Sequence, residues 1–185
     1  VVHASSVAAY GFTYAPEMWN PEYLPLDEEH PLNPKDPYSF SKVFGEQIAD
    51  SYVGMFDISV VSLRLAGVNF DLTYESLPER WADPGARLGT FWSYVDVRDA
   101  AESCKLAIEA DITGHEAFNI AARNSRFQTP TTELAEKYLP GTKVMYGVEG
   151  CWSGLKTSKA RDMLGYTDKH VWEDYIRPDG TLINK

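Results

Sequence analysis

Tyr38 and Lys42 stand four residues apart in Tyr38-Ser39-Phe40-Ser41-Lys42, a spacing that puts two side chains on one face of a helix, about 5–6 Å apart at Cβ. Asp36-Pro37 just before them reads as a helix start, because Asp can accept from free first-turn N–H groups and Pro has no N–H to lose there. The pair therefore lies at the positive end of a helix dipole, which favours negative charge such as a phenolate. A tyrosine hydroxyl titrates near pH ~10 in isolation, so acting as a base at neutral pH requires help for its ionised form. An ammonium supplies that help. Ser6, at the end of the opening apolar run, could hold the substrate oxygen while the phenolate takes its proton. Taken alone, a Tyr-x-x-x-Lys pair also arises by chance on helical surfaces.

The elements that must position these residues can be read in order. Val1 to Ala4 opens as though in mid-strand, without an initiator methionine, and suggests a fragment or a trimmed product. Residues 7–37 form a long connection holding six of the chain's eleven prolines; a loop of that length is usually functional or mobile. Its acidic cluster Asp27-Glu28-Glu29 reads as a solvated face. A helix is expected from 38 to about Gly54, then a buried strand from Ile58 to Leu65, which together suggest a crossover onto a parallel sheet. A short helix over 74–83 would stop at Pro84-Gly85. Phe91 to Val95 reads as a strand, and Asp96 as the cap of a helix from Val97 to Ala110. Glu116 to Ala121 is a further strand, Thr129-Pro130 opens a helix to about Tyr138, and Lys143 to Tyr146 is strand-like. Thr157 caps a last helix, Ser158 to Leu164, with Gly165 as its stop.

The chain has 185 residues, 44% of them apolar, enough for one domain with a core or one domain with a small appendage. A net charge of −10 and a pI near 4.8 argue against general affinity for nucleic acid or anionic membranes. No run reaches the roughly 18 apolar residues of a membrane span, and no leader pattern precedes the fold. Cys104 and Cys151 are the two cysteines, read as free thiols in a reducing cytoplasm. His3, His30, His115 and His170 show no metal-ligand spacing, so no metal site is inferred.

Several separated motifs together resemble the extended short-chain dehydrogenase/reductases, the group that includes NAD-dependent epimerases and dehydratases. Val2-His3-Ala4-Ser5-Ser6-Val7-Ala8-Ala9-Tyr10-Gly11 is similar to the family's fifth strand with its Ser-x-x-x-Tyr-Gly ending, which selects Ser6 over Ser5. Pro37-Tyr38-Ser39-Phe40-Ser41-Lys42 matches its Pro-Tyr-x-x-Ser-Lys element. Ser62-Leu63-Arg64, Tyr94-Val95-Asp96-Val97-Arg98-Asp99, Ala117-Phe118-Asn119-Ile120 and Ser158-Lys159-Ala160-Arg161 with Leu164-Gly165-Tyr166 follow in family order. The resemblance implies an α/β fold: the C-terminal part of a Rossmann-like doubly wound parallel sheet plus a small α/β substrate-binding portion. Residues 1–70 would form the C-terminal half of the dinucleotide-binding domain with its catalytic helix. Residues 71–185 would be mainly substrate-binding, with 91–121 returning in part to the sheet.

By the same resemblance Tyr38 is the general acid/base, Lys42 stabilises its phenolate and binds the nicotinamide ribose, and Ser6 orients the substrate oxygen. Ser5, Leu65, Ala66 and Val68 would lie with Tyr38 and Lys42 against the cofactor, and Asn69 and Arg87 with Ser6 against the substrate. The cofactor would be NAD or NADP, the substrate a small carbohydrate-like alcohol or carbonyl, and the full-length protein a cytoplasmic homodimer. Without the family's preceding helix, apolar surface around Phe44 and Ile48 would be exposed.

The departures are as informative. No Gly-x-x-Gly-x-x-Gly occurs, and such glycines let a backbone approach a pyrophosphate; this chain alone is expected to bind dinucleotide poorly. Thr90 stands at the position read as the phosphate-binding Arg of sugar-nucleotide epimerases, and Gly67-Val68 replaces an Asn-Pro pair, with Asn69 displaced. Val7-Ala8 after Ser6 argues against sugar dehydration. Asn124-Ser125-Arg126-Phe127 has a faint similarity to members that oxidise free sugar acids, while a nucleotide sugar remains the alternative substrate. The second class of function is a family-derived binding or assembly module without catalysis.

Overall fold

The computed structural model describes residues 1–145 and 149–183. Its centre is a three-stranded parallel sheet of β1 (Val2–Ser6), β3 (Val60–Leu65) and β6 (His115–Ile120), in the order β1-β3-β6. Two short parallel pairs flank it: β2 (Tyr23–Leu24) with β7 (Lys143–Val144), and β4 (Val68–Asn69) with β5 (Val95–Asp96). The α-helices among the described residues are α1 (Pro37–Met55), α2 (Val97–Glu109), α3 (Thr131–Tyr138) and α4 (Ser158–Leu164), with short 3-10 turns between elements. The α/β architecture with parallel strands is the one expected from the sequence.

β3 reads Val-Val-Ser-Leu-Arg-Leu, and its first five residues are buried, as a central parallel strand covered on both faces must be. Its register with β1 pairs Ser6 with Leu65, so both strands end at the same level. Helix α1 is held to β1 at two points. Lys42 Nζ donates to the Ala4 carbonyl at 2.8 Å, and a Cβ on Gly45 would lie 2.6 Å from His3 Nε2. A side chain at position 45 would therefore have to displace the His3 ring. The outward face of α1 leaves Phe40, Phe44, Ile48 and Tyr52 exposed.

Several elements differ from the sequence expectation. Phe91 and Trp92 are not strand residues: both have left-handed backbone, φ 48° and 60°, and only Val95–Asp96 pairs. The 74–83 segment is a 3-10 turn over Pro78–Ala82, and Pro84 starts a second one, Pro84–Thr90, where a helix stop was expected. Thr129 does not cap α3; Pro130 occupies that position. Thr157 precedes α4 without a side-chain cap bond, whereas Gly165 ends it at φ 71° as predicted. Of the strand expected over 143–146, two residues pair and Tyr146 lies outside the described residues.

The proline-rich connection is tied down along its length. Tyr10, Phe12, Leu24 and Leu26 are buried in the main core. Two members of its acidic cluster are engaged: Asp27 accepts from the Tyr23 hydroxyl at 2.5 Å, and Glu28 Oε1 from the Asn119 backbone N–H at 2.7 Å. The solvated face expected for these carboxylates is therefore corrected. Trp92, Trp152 and Trp172 are buried, so most of the tryptophans serve packing.

Candidate active site

The carboxyl ends of β1 and β3 open onto a cleft of about 560 Å3, within the range of small-molecule and cofactor sites. Ser6 stands at the end of β1, and the chain leaving β3 contributes Leu65, Ala66, Gly67 and Val68. Helix α1 contributes Tyr38 and Lys42, and the 84–90 turn Arg87 and Thr90. Residues distant in sequence meet here because parallel strands in register deliver their ends together.

Helix α1 begins as its sequence predicts. The Asp36 carboxylate accepts from the Tyr38 and Ser39 backbone N–H groups, each at 3.0 Å, which fixes the first turn and with it Tyr38. The Tyr38 ring is 45% exposed and meets Tyr14 edge-on, with centroids 5.5 Å apart. Lys42 Nζ lies 5.3 Å from the Tyr38 ring centroid, while its bond to Ala4 holds the ammonium at the cleft wall. Ser6 Oγ accepts from the Ala8 N–H at 3.1 Å, a contact that leaves its own hydrogen free to donate.

Under the cleft runs a buried polar chain. Ser5 Oγ donates to Glu46 Oε1 at 2.6 Å; Arg64 reaches the same carboxylate through Nε at 3.0 Å and Nη2 at 2.7 Å. Arg64 Nη1 donates to Tyr10 Oη at 3.1 Å, and Tyr10 Oη lies 2.8 Å from Asn119 Oδ1. Burial works against ionisation of Glu46, but the hydrogen bonds and charge of Arg64, with Ser5, outweigh it and hold the carboxyl below its ordinary value. Burial pushes Tyr10 up to about 12 against the opposing effect of Arg64, so its hydroxyl stays protonated at neutral pH. The chain joins β1, α1, β3, β6 and the proline-rich connection.

The structure thus brings Ser5, Ser6, Tyr38, Lys42, Leu65, Ala66, Val68 and Arg87 to one cleft. Two qualifications follow. The Ser5 hydroxyl is committed to Glu46 and points its chemistry into the fold. Asn69, expected at the substrate, does not line the cleft: its Nδ2 donates to the Asp71 carbonyl at 2.7 Å, and it lines a separate small pocket with Tyr74, Arg80, Tyr94 and Arg126. Its pairing in β4 turns it away. Sequence reasoning missed the Glu46–Arg64 pair, although an arginine inside an apolar strand is itself a signal for a buried partner. It also missed Tyr14 against Tyr38.

A second cluster has the residue types of a hydrolase triad. Asp50 Oδ1 lies 2.7 Å from His115 Nδ1, and His115 Nε2 2.8 Å from Ser62 Oγ, which is 3.0 Å from His3 Nδ1. Ser62 has no exposed surface. A nucleophile must reach substrate, so the cluster ties strands and α1 together.

Residues 1–69 match the model of the NAD dependent epimerase/dehydratase family. A stretch of 69 residues is 41% identical to "Putative UDP-glucose 4-epimerase" of Methanocaldococcus jannaschii, covering 37% of this chain and 20% of that protein. Ketoreductase azaE of Aspergillus niger is 25% identical over 178 residues, with 82% of this chain and 52% of that protein covered. Among solved structures, a short-chain dehydrogenase/reductase superfamily protein from Agrobacterium tumefaciens, crystallised with bound NAD, superposes with a TM-score of 0.61 at 20% identity. That superposition covers 93% of this chain and 63% of that one. The chain therefore spans about half the length, or less, of the curated relatives it matches. Over residues 1–69, which hold Ser6, Tyr38 and Lys42, the chain matches the NAD dependent epimerase/dehydratase family, and over nearly its whole length it has the fold of a short-chain dehydrogenase/reductase.

Proposed function

We propose that the cleft is the chemical half of an NAD(P)-dependent oxidoreductase or epimerase site acting on a sugar or sugar-derived alcohol or carbonyl. The observation that carries this reading is the meeting of Ser6, Tyr38 and Lys42 in one cleft floored by Leu65–Val68. These residues fit the nicotinamide end of the cofactor: an ammonium at the wall for a ribose hydroxyl, and Leu65, Ala66 and Val68 as apolar surface for the ring. When bound, the oxidised nicotinamide supplies the hydride acceptor. Ser6 donates to the substrate oxygen and orients it, and Lys42 stabilises the Tyr38 phenolate, whose Oη takes the hydroxyl proton and becomes a neutral phenol. For carbonyl reduction Tyr38 returns that proton.

The reading extends to organisation. Residues 1–70 carry the chemistry and 71–185 mainly the substrate side, with 91–121 contributing β6 to the sheet. No Gly-x-x-Gly-x-x-Gly occurs in the 185 residues, so the pyrophosphate would be held by backbone outside them, and this chain alone is inactive. The exposed face around Phe44 and Ile48 is the proposed homodimer contact of the full-length protein, and a cytoplasmic location fits its free thiols.

The test is Tyr38→Phe in the full-length protein, assayed both as net NAD or NADP reduction and as epimer formation, with a panel of sugars, uronic acids and nucleotide sugars. Turnover should fall at least ~100-fold, the usual scale for a general acid/base, while cofactor affinity stays within about twofold. Undiminished turnover would sink the mechanism.

A further inference from the structure

Several arginines of this acidic chain meet a carboxylate: Arg64 with Glu46, Arg98 with Asp96, Arg123 with Asp168 and Arg161 with Asp162. Among the described residues Arg80, Arg87, Arg126 and Arg177 have no such ion pair; Arg177 donates to Thr181 and to the Leu182 carbonyl, whereas the charges of Arg80 and Arg87 act on Arg126. Arg126 is 7% exposed. Its Nη2 donates to the Ser93 carbonyl, its guanidinium sits 5.8 Å from the Tyr94 ring centroid, and its Nε has no hydrogen-bond partner. A buried cation with an unsatisfied donor is costly, and 27 acidic residues were at hand in the sequence to neutralise it.

Arg126 and Arg80 line the small pocket that also holds Asn69. That pocket adjoins the cleft at Gly67. Gly67 lines the cleft, and a Cβ there would come within 3.1 Å of Arg126 Nη2, so the guanidinium lies directly behind Gly67, although Arg126 does not itself line the cleft. Arg87 lines the cleft itself, while Arg80 is exposed at the pocket. Burial, followed by the charges of Arg87 and Arg80, lowers Arg126 to about 10. It is still a cation at neutral pH, and an anion would relieve both effects.

We propose that Arg126, with Arg80 and Arg87, forms a subsite for an oxyanion carried by the substrate, a carboxylate or a phosphate group. The guanidinium offers paired N–H donors in a plane, the geometry that carboxylates and phosphates accept. This deepens the oxidoreductase reading by making its substrate an acidic sugar derivative, and for the identity of the ligand it rests on that reading. The cationic subsite itself does not depend on hydride chemistry.

Glucuronate, glucose 6-phosphate and glucose are titrated calorimetrically into the protein and into its Arg126→Gln, Arg80→Gln and Tyr38→Phe variants. At least one of the anionic sugars should bind the unaltered protein at least ~10-fold more tightly than glucose, the scale of one charge-assisted pairing. Preference for glucuronate identifies a carboxylate, and preference for glucose 6-phosphate a phosphate. Both arginine variants should lose the preference, and Tyr38→Phe should keep it, which separates anion recognition from the proton-transfer role. Equal affinity for the three ligands, absence of binding included, overturns the proposal, as does an undiminished preference in Arg80→Gln. Because Arg80 is exposed, that variant remains decisive should Arg126→Gln fail to fold.

Discussion

Arg64 and Arg126 are both buried, 5% and 7% exposed, yet their surroundings are opposite. Arg64 spends its donors on a carboxylate, a tyrosine hydroxyl and the Glu28 carbonyl. Arg126 has one carbonyl and an aromatic face, with two more arginines nearby. A buried ion pair is satisfied within the fold and holds parts together, whereas a buried cation left without its counter-charge is shaped for something that arrives later. The first supports the cleft from beneath; the second faces it through Gly67.

The comparison can be broken most forcefully at Glu46. Removing its carboxylate by Glu46→Ala leaves Arg64 buried and unpaired, for which a loss of about 3–5 kcal/mol of stability is expected, read from denaturant unfolding at pH 7. A loss under ~1 kcal/mol would mean that the pair is not what anchors α1 to β3. Acid should produce a smaller version of the same effect. The Glu46 carboxyl is held below its ordinary value of 4.5, so its contribution is present above about pH 4.5 and is lost as pH falls through the lower, folded value. Unfolding curves taken between pH 6 and pH 3 should therefore lose stability more steeply for the unaltered protein than for Glu46→Gln. Parallel losses would contradict the assignment.

Arg126→Met is expected to change stability by no more than about 1 kcal/mol in either direction, since removal of an unpaired buried charge offsets the lost bond to Ser93. A loss of several kcal/mol would put Arg126 in the same structural class as Arg64. The smallest expected signal is calorimetric: NAD or NADP titrated into the 185-residue chain should give little binding, because the glycine-rich turn that holds a pyrophosphate is not in this sequence. Micromolar affinity would refute that reading.

Much of the cleft was legible because its signals are local. Asp36-Pro37 announces α1, four-residue spacing places Lys42 beside Tyr38, and Ile58, Val60 and Val61 with Leu63 and Leu65 mark β3 to within two residues. The errors share a cause, which is that long-range partners leave no local trace. Phe91-Trp92-Ser93-Tyr94-Val95 has the aromatic and β-branched content of a strand, but packing turns Phe91 and Trp92 into left-handed backbone without glycine or asparagine to announce it. The proline-rich connection looked loose because its anchors are remote; Tyr10 finds Asn119, 109 residues on. Asn69 sits one residue past a cleft residue, yet the pairing of β4 with β5 takes it to the neighbouring pocket. Arg126 was visible only as a letter in a faint motif, since its distinguishing property is a partner it lacks.

The central claim, that Tyr38 moves the proton while hydride passes from substrate carbon to nicotinamide, is tested most directly by isotope. In the full-length protein, a substrate identified from the sugar panel is deuterated at its carbinol carbon and the reduced cofactor is examined by mass spectrometry. The account predicts one deuterium per reduced cofactor with the unaltered protein and at least ~100-fold slower appearance of that label with Tyr38→Phe. Label appearing in solvent in place of the cofactor, or transfer undiminished in Tyr38→Phe, would contradict it.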